Sequence, residues 1–275
     1  MTNQFEATCT ASALIELHKT EFKYGIWVIA PEGIRYQGYR NTDVEQGADI
    51  CSFVELYLPR QSFISFECKE RFLMGFGFDD FKRSLASASF NDVVMLKVGR
   101  NADKLHLLIK DGRSGKNKSQ NQQLQVRSRD KINIIADDKY LEFSSQLRMK
   151  SKKFEEIIGE YKTAAEDDND VRIQMYKEKI VFEGISSEKI FNIRPAYGSI
   201  YKFSEDVNGQ FSNFQLVYPT HHASANKNVW LRFTKQKWLI VEYEVLTEGY
   251  LRYYLFPRTF LWYKNIAYGI IDRSH

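Results

Sequence analysis

The sequence predicts an α+β protein made of two similar halves, mostly antiparallel strand with a few short helices. Residues 237–258, KWLIVEYEVLTEGYLRYYLFPR, read as a strand, a turn carrying Gly249 and a second strand closed by Pro257, rich in β-branched and aromatic residues. A helix, a hairpin and a glycine recur in the same order: the amphipathic stretch 151–162 answers 11–24, and KIVFEGI at 179–185 parallels GIRYQGY at 33–39. Two such halves, each of about 130 residues, point to duplication.

With 275 residues, the chain is long enough for two ordinary domains that each bury a core. Hydrophobic residues at 43% and aromatics at 15% exclude a disordered chain. No run of about 18 apolar residues occurs, and the first residues lack a basic-then-apolar order, so a soluble intracellular protein with no membrane partner is expected. Cys9, Cys51 and Cys68 are an odd number at wide spacing and read as reduced, buried small residues. A net charge of +4 and pI of 8.7 permit a polyanionic partner without requiring one.

In the first half, Leu14, Leu17 and Phe22 share one face of the predicted helix. Strands at 26–30 and 34–39 flank the turn Pro31-Glu32-Gly33, where proline fixes φ and glycine supplies freedom. Further strands fit 50–58 and 62–67; residues 74–89 read as a strand end entering a helix, and strands follow at 93–98 and 105–110. The polar stretch 111–123 is a loop, and 124–129 a strand. Residues 130–140 form a connector whose Ile132, Ile134 and Ile135 call for a surface to lie on.

In the second half, Phe154, Ile157, Ile158 and Tyr161 face one side of the helix at 151–162, and 166–170 is an acidic insertion. Strands fit 179–185, 189–194, 229–233, 238–245 and 250–256, with a short helical stretch inside 211–222 limited by Pro219. The organisation is therefore a domain over 1–129, the connector, a domain over 141–258, and an apolar, aromatic tail at 259–275.

Enzyme signatures fail. Gly75-Phe76-Gly77 lacks the third glycine of a dinucleotide fingerprint, and in the stretch 112–117 Gly-Lys is followed by Asn, so it is not a phosphate loop. His18, His106, His221, His222 and His275 form no metal-ligand set, and Asp167-Asp168-Asn169-Asp170 lacks calcium-loop spacing. No catalysis, cofactor or metal is expected.

Val241-Glu242-Tyr243, Gly249, Leu251 and Tyr253-Tyr254-Leu255-Phe256-Pro257-Arg258 resemble the closing hairpin of the proliferating cell nuclear antigen (PCNA) family of DNA sliding clamps. Leu73-Met74-Gly75 with the helix that follows, and Asn101-Ala102-Asp103-Lys104-Leu105, carry the resemblance at matching intervals from Phe5-Glu6-Ala7 to Arg258. It implies the DNA-clamp fold: two similar domains with sheets outside and two helices each lining a central hole, three subunits closing around double-stranded DNA. It further implies a nuclear or viral replication factor that gives processivity to DNA polymerase, tethers other clients through peptides, and is opened by a clamp loader. Phe256 departs from a small alanine, Trp238 from a proline, Tyr39 from a methionine, and the basic charge from an acidic norm.

Carried over by position, the DNA-facing residues are Lys19, Lys23, Lys82, Arg83, Lys152, Lys153, Lys162 and His221, with His222 beside them. Glu16, Glu21, Asp79, Asp80, Glu155, Glu156 and Glu160 oppose them, so ordinary solvated helix faces are the competing reading. Arg113, Lys116 and Lys118 read either as a solubilising loop or as additional DNA contacts outside the hole. The client pocket falls on Tyr39, Ile134, Ile135, Trp238, Tyr254, Leu255, Phe256 and Pro257, with a core role competing for Tyr254 and Leu255. Subunit pairing falls on Leu124, Val126 and Arg127 against Ile190 and Asn192, and Lys177 matches the lysine that receives ubiquitin in the family. Competing readings are a subunit of a heterotrimeric checkpoint clamp, and a viral-type basic processivity factor that holds DNA by charge as monomer or dimer.

Overall fold

The computed structural model describes residues 4–12, 14, 24–39, 52–99, 104–118, 122–125, 141–162, 170–184, 188–192, 198–246 and 248–257. The first half contains β1 (Phe5–Thr10), β2 (Tyr24–Ala30), β3 (Gly33–Tyr39), β4 (Ser52–Pro59), β5 (Ser65–Cys68), β6 (Phe72–Gly77), α1 (Phe78–Leu85), β7 (Val93–Val98), β8 (Lys104–Lys110) and β9 (Gln122–Gln125). The second contains β10 (Phe143–Lys150), α2 (Ser151–Lys162), β11 (Asp170–Met175), β12 (Lys179–Glu183), β13 (Glu188–Asn192), β14 (Gly198–Phe203), β15 (Val207–Ser212), α3 (Asn213–Thr220), β16 (Asn228–Thr234), β17 (Leu239–Val245) and β18 (Gly249–Leu255). The expected α+β class holds, with antiparallel sheet dominant.

Among the described residues three sheets have the orders β5-β1-β7-β8-β9, β14-β10-β16-β17-β18-β4-β3-β2-β6, and β13-β12-β11-β15. Adding nine to each strand number of β5-β1-β7-β8-β9 gives β14-β10-β16-β17-β18, and adding nine to β4-β3-β2-β6 gives β13-β12-β11-β15. Every neighbour relation of the first half thus recurs in the second. By contact the chain forms two units, Met1–Asn41, Val54–Ile132 and Val245–Leu251, and Thr42–Phe53, Asn133–Glu244 and Arg252–His275; β4 and β18 give residues to both.

Strict alternation builds the first unit's five-stranded sheet. Phe5, Ala7 and Cys9 of β1, Val94, Leu96 and Val98 of β7, and Leu105, Leu107 and Ile109 of β8 are buried, while the residues between them are half-exposed. Burial pushes the Cys9 thiol up to about 12, so it behaves as a small apolar residue. Helix α1 buries Phe81 and Leu85, with Phe81 edge-on to Trp27 at 5.1 Å between centroids. Gly25 leaves room for the Tyr36 ring, which a Cβ there would meet at 2.2 Å.

In the second unit α2 buries Phe154, Ile157, Ile158 and Tyr161, the face the sequence predicts. Tyr161 donates its hydroxyl to the Phe182 carbonyl at 2.7 Å, and Asn213 Nδ2 donates to the Tyr161 carbonyl at 2.8 Å, so α3 sits against the end of α2. Helix α3 opens with a capping box between Ser212 and Gln215. It ends at Thr220, and Pro219 inside its last turn offers no N–H to the Gln215 carbonyl one turn back. Strands β1, β10, β11, β14 and β15 are additions to the sequence reading, and Asp170, expected in the acidic insertion, begins β11.

Candidate functional site

Four groups of predicted site residues can be followed into the structure. Lys19, Lys23, Val126, Arg127, Ile134, Ile135, Cys51 and the tail 259–275 lie outside the described residues, as do the side chains of Tyr39, Lys162 and Asn192.

The helix faces come first. On α1, Arg83 is 77% exposed and pairs with Asp80 one turn away, and Lys82 is half-buried. On α2, Lys152 and Lys153 are exposed together with Glu155, Glu156 and Glu160. Lys153 pairs with Glu156 at 3.2 Å, and Lys189 reaches Glu160 at 2.6 Å. Such exposed pairs are weak and screened by salt, so the described parts of both helices present mixed charge without a basic stripe. His221 is exposed at the end of α3, edge-on to Tyr218. His222 corrects the expectation of a DNA-facing residue: it is fully buried, and its Nε2 lies 2.6 Å from the Tyr253 hydroxyl.

The hairpin after β8 is a built object. Asp111 Oδ1 accepts from the backbone N–H of Arg113 at 3.0 Å and of Ser114 at 2.7 Å, and from the Ser114 hydroxyl at 2.9 Å. The backbone N–H and then the hydroxyl of Ser114 hold the Asp111 carboxyl down at about 2. Gly115 supplies the positive φ that turns the chain. Asp92, only 2% exposed, ties this hairpin to the segment before β7: Oδ2 accepts from Lys118 Nζ at 2.7 Å and Ser89 N–H at 2.7 Å, and Oδ1 from Gly112 N–H at 3.2 Å. The Lys118 contact, followed by the Ser89 N–H, lowers the Asp92 pKa, and Asp92 raises that of Lys118. Lys118 is therefore a strut between Asp92 and Asp111. Arg113 and Lys116 are exposed, and among the described residues neither enters an ion pair.

Of the predicted client pocket, Trp238 and Phe256 are half-exposed and meet edge-on with centroids 5.1 Å apart. Tyr254 and Leu255 are fully buried and Pro257 is buried; Tyr254 stacks edge-on against Phe53 at 5.6 Å. The core role that competed for Tyr254 and Leu255 is the one their burial supports. Lys177 is exposed in the turn between β11 and β12.

Sequence reasoning missed a charged cluster on the sheet. Glu242 of β17 accepts from Arg232 Nη2 of β16 and Arg252 Nε of β18, each at 2.5 Å, and all three are largely buried. Arg232 also donates to Gln146 Oε1 at 2.5 Å and lies 4.6 Å from the Trp230 ring centroid. In the sequence each charge stands between two apolar residues, Leu231-Arg232-Phe233, Val241-Glu242-Tyr243 and Leu251-Arg252-Tyr253, which puts it on the opposite face of its strand but does not say that the three meet.

The edge strands are the fourth group. Of the six sheet ends among the described residues, β5 corresponds to β14 and β6 to β15 under the repeat, so those ends recur in both halves. β9 and β13 differ, because their counterparts β18 and β4 are neighbours in the nine-stranded sheet. Leu124 of β9 is buried, whereas Ile190 of β13 is 51% exposed, one of four large apolar side chains left in solvent among the described residues. No protein-family model matches the chain.

Proposed function

We propose that this chain is a subunit of a closed ring that slides on double-stranded DNA, a homotrimeric processivity factor that tethers DNA polymerase and other clients. The observation that carries the reading is the pair β9 and β13: they are the sheet ends whose repeat counterparts, β18 and β4, are paired inside one chain. Pairing β9 of one copy with β13 of the next repeats that junction between chains. It is a head-to-tail contact, which generates rings when the rotation closes. It also covers two edges that would otherwise template aggregation.

The clamp-like spelling of the closing hairpin supports the same reading and is the source of the number three. Mixed charge on α1 and α2 fits a ring as well, because topological closure retains DNA without strong phosphate contacts. A factor held by charge alone loses affinity steeply with salt, at a log–log slope of about −0.9 per neutralised phosphate. The basic pI and the exposed Arg113 and Lys116 favour the charge-held factor as the second reading.

The test is solution mass at micromolar concentration and moderate salt, followed by retention on nicked circular DNA before and after linearisation. Three subunits and loss of retention on linearisation are expected. A monomer or dimer whose retention ignores DNA ends but falls with salt would replace the ring by the charge-held factor.

A further inference from the structure

Phe90 is 64% exposed in the segment between α1 and β7, yet that segment is held in place on both sides. Asp92 accepts from Ser89 N–H on one side of Phe90 and from Gly112 N–H and Lys118 Nζ of the hairpin on the other. The two backbones touch so closely that a Cβ on Gly112 would lie 1.8 Å from the Asn91 carbonyl oxygen. Phe90 and Arg113 are each one residue from that contact, so their Cα atoms lie within roughly 13 Å of one another. Lys116 stands three residues further round the same turn, exposed like Arg113. The carboxylates of Asp92 and Asp111 are both consumed inside the turn, with Lys118. What remains exposed is an aromatic ring on one segment and two cations on the turn tied to it, on a scaffold fixed before any ligand arrives.

We propose that Phe90, Arg113 and Lys116 form a contact point for single-stranded nucleic acid, with one base stacked on the Phe90 ring and neighbouring phosphates held by the two cations. A lone exposed ring suits an unstacked base, since every base has a face to offer and sequence is immaterial. Duplex DNA offers bases already stacked on both sides, so it gains from the cations alone. A protein partner is disfavoured because Phe90 is flanked by Ala88, Ser89 and Asn91 and by charge, not by the contiguous apolar surface that protein docking uses. The site does not depend on ring closure, and a short linear probe tests it separately.

The experiment is fluorescence anisotropy of labelled oligothymidylate and of a duplex of equal length across 50–200 mM salt, with the full chain, where those concentrations span roughly the range over which phosphate contacts are resolved. Phe90→Ala should weaken oligothymidylate binding about fivefold or more, leave duplex binding unchanged, and be rescued by Phe90→Trp. The Arg113→Ala/Lys116→Ala double variant should reduce the single-strand salt slope by about 1.4. All three positions are exposed, so the variants should keep the fold, and an unchanged thermal melt verifies it. Equal loss on both probes, no effect of Phe90→Ala, or no binding of oligothymidylate at the lowest salt would each overturn the proposal. A trimeric mass with no oligothymidylate binding would sink this site and leave the ring standing; a monomer that binds it would do the reverse.

Discussion

Asp92 shows how much one carboxylate can organise. Its two oxygens serve two backbone amides and one ammonium, and they join segments 20 residues apart in sequence. Asp92→Asn keeps the shape but removes the charge that Lys118 needs, so the Ser89 and Gly112 amides should exchange with solvent faster and trypsin should cut sooner after Arg113 and Lys116. Unchanged exchange at both amides would remove Asp92 as the tie. The pH dependence follows from Asp111 and Asp92, whose pKa values fall on folding. Their contribution is complete above the ordinary value of 3.8 and is lost as pH drops, for Asp111 toward about 2. Lys118 is shifted the other way, so its share is complete below its ordinary 10.5 and fades above it. Hydrogen exchange at Ser114 should therefore quicken, relative to its intrinsic rate, only in strong acid. A loosening already complete at neutral pH would contradict the assignment.

At the scale of elements, strands with apolar residues on both faces were legible in the sequence, whereas β1, β11 and β15, whose burial also alternates, carry only polar side chains on the open face and were not. VVMLKV and KLHLLIK alternate, and β7 and β8 lie where that pattern predicts. FSSQLRMK hides β10 because Ser144 and Ser145 occupy buried positions, satisfied by carbonyls of Phe233 and Glu205. VNGQFS hides β15 because Gly209 leaves room for the Phe211 ring, which a Cβ would meet at 2.6 Å. Such residues read as loop formers until their partners are known. The Arg232–Glu242–Arg252 cluster was illegible for the same reason, since three strands must pair before those charges meet. Glu242→Ala leaves two largely buried guanidinium groups facing each other and should destabilise folding by about 3–5 kcal/mol in urea unfolding at fixed protein concentration. A loss under about 1 kcal/mol would mean that solvent or neighbouring groups already satisfy both arginines.

At the scale of the molecule, the repeat constrains assembly more than any single residue does. A duplicated topology in which one junction, β18 with β4, is made inside the chain leaves β9 and β13 as its unmatched halves. Half of that edge was readable beforehand, since the strand patterns at 124–129 and 189–194 stood out; that both are sheet ends required the pairing itself. Ile190 provides the handle, because it pairs with Val181 inside its own sheet and is 51% exposed there. If β13 receives β9 of a neighbour, Ile190→Glu places a charge at a contact that becomes desolvated, while the lone subunit tolerates it on a wet surface. The variant should keep its circular dichroism spectrum, fall to single-subunit mass in sedimentation, and lose retention on circular DNA. Oligothymidylate binding through Phe90 should survive, because that site lies on one subunit. A variant that sediments with the wild-type mass would place the subunit contact elsewhere, and the unmatched edges would then need another explanation for remaining uncovered.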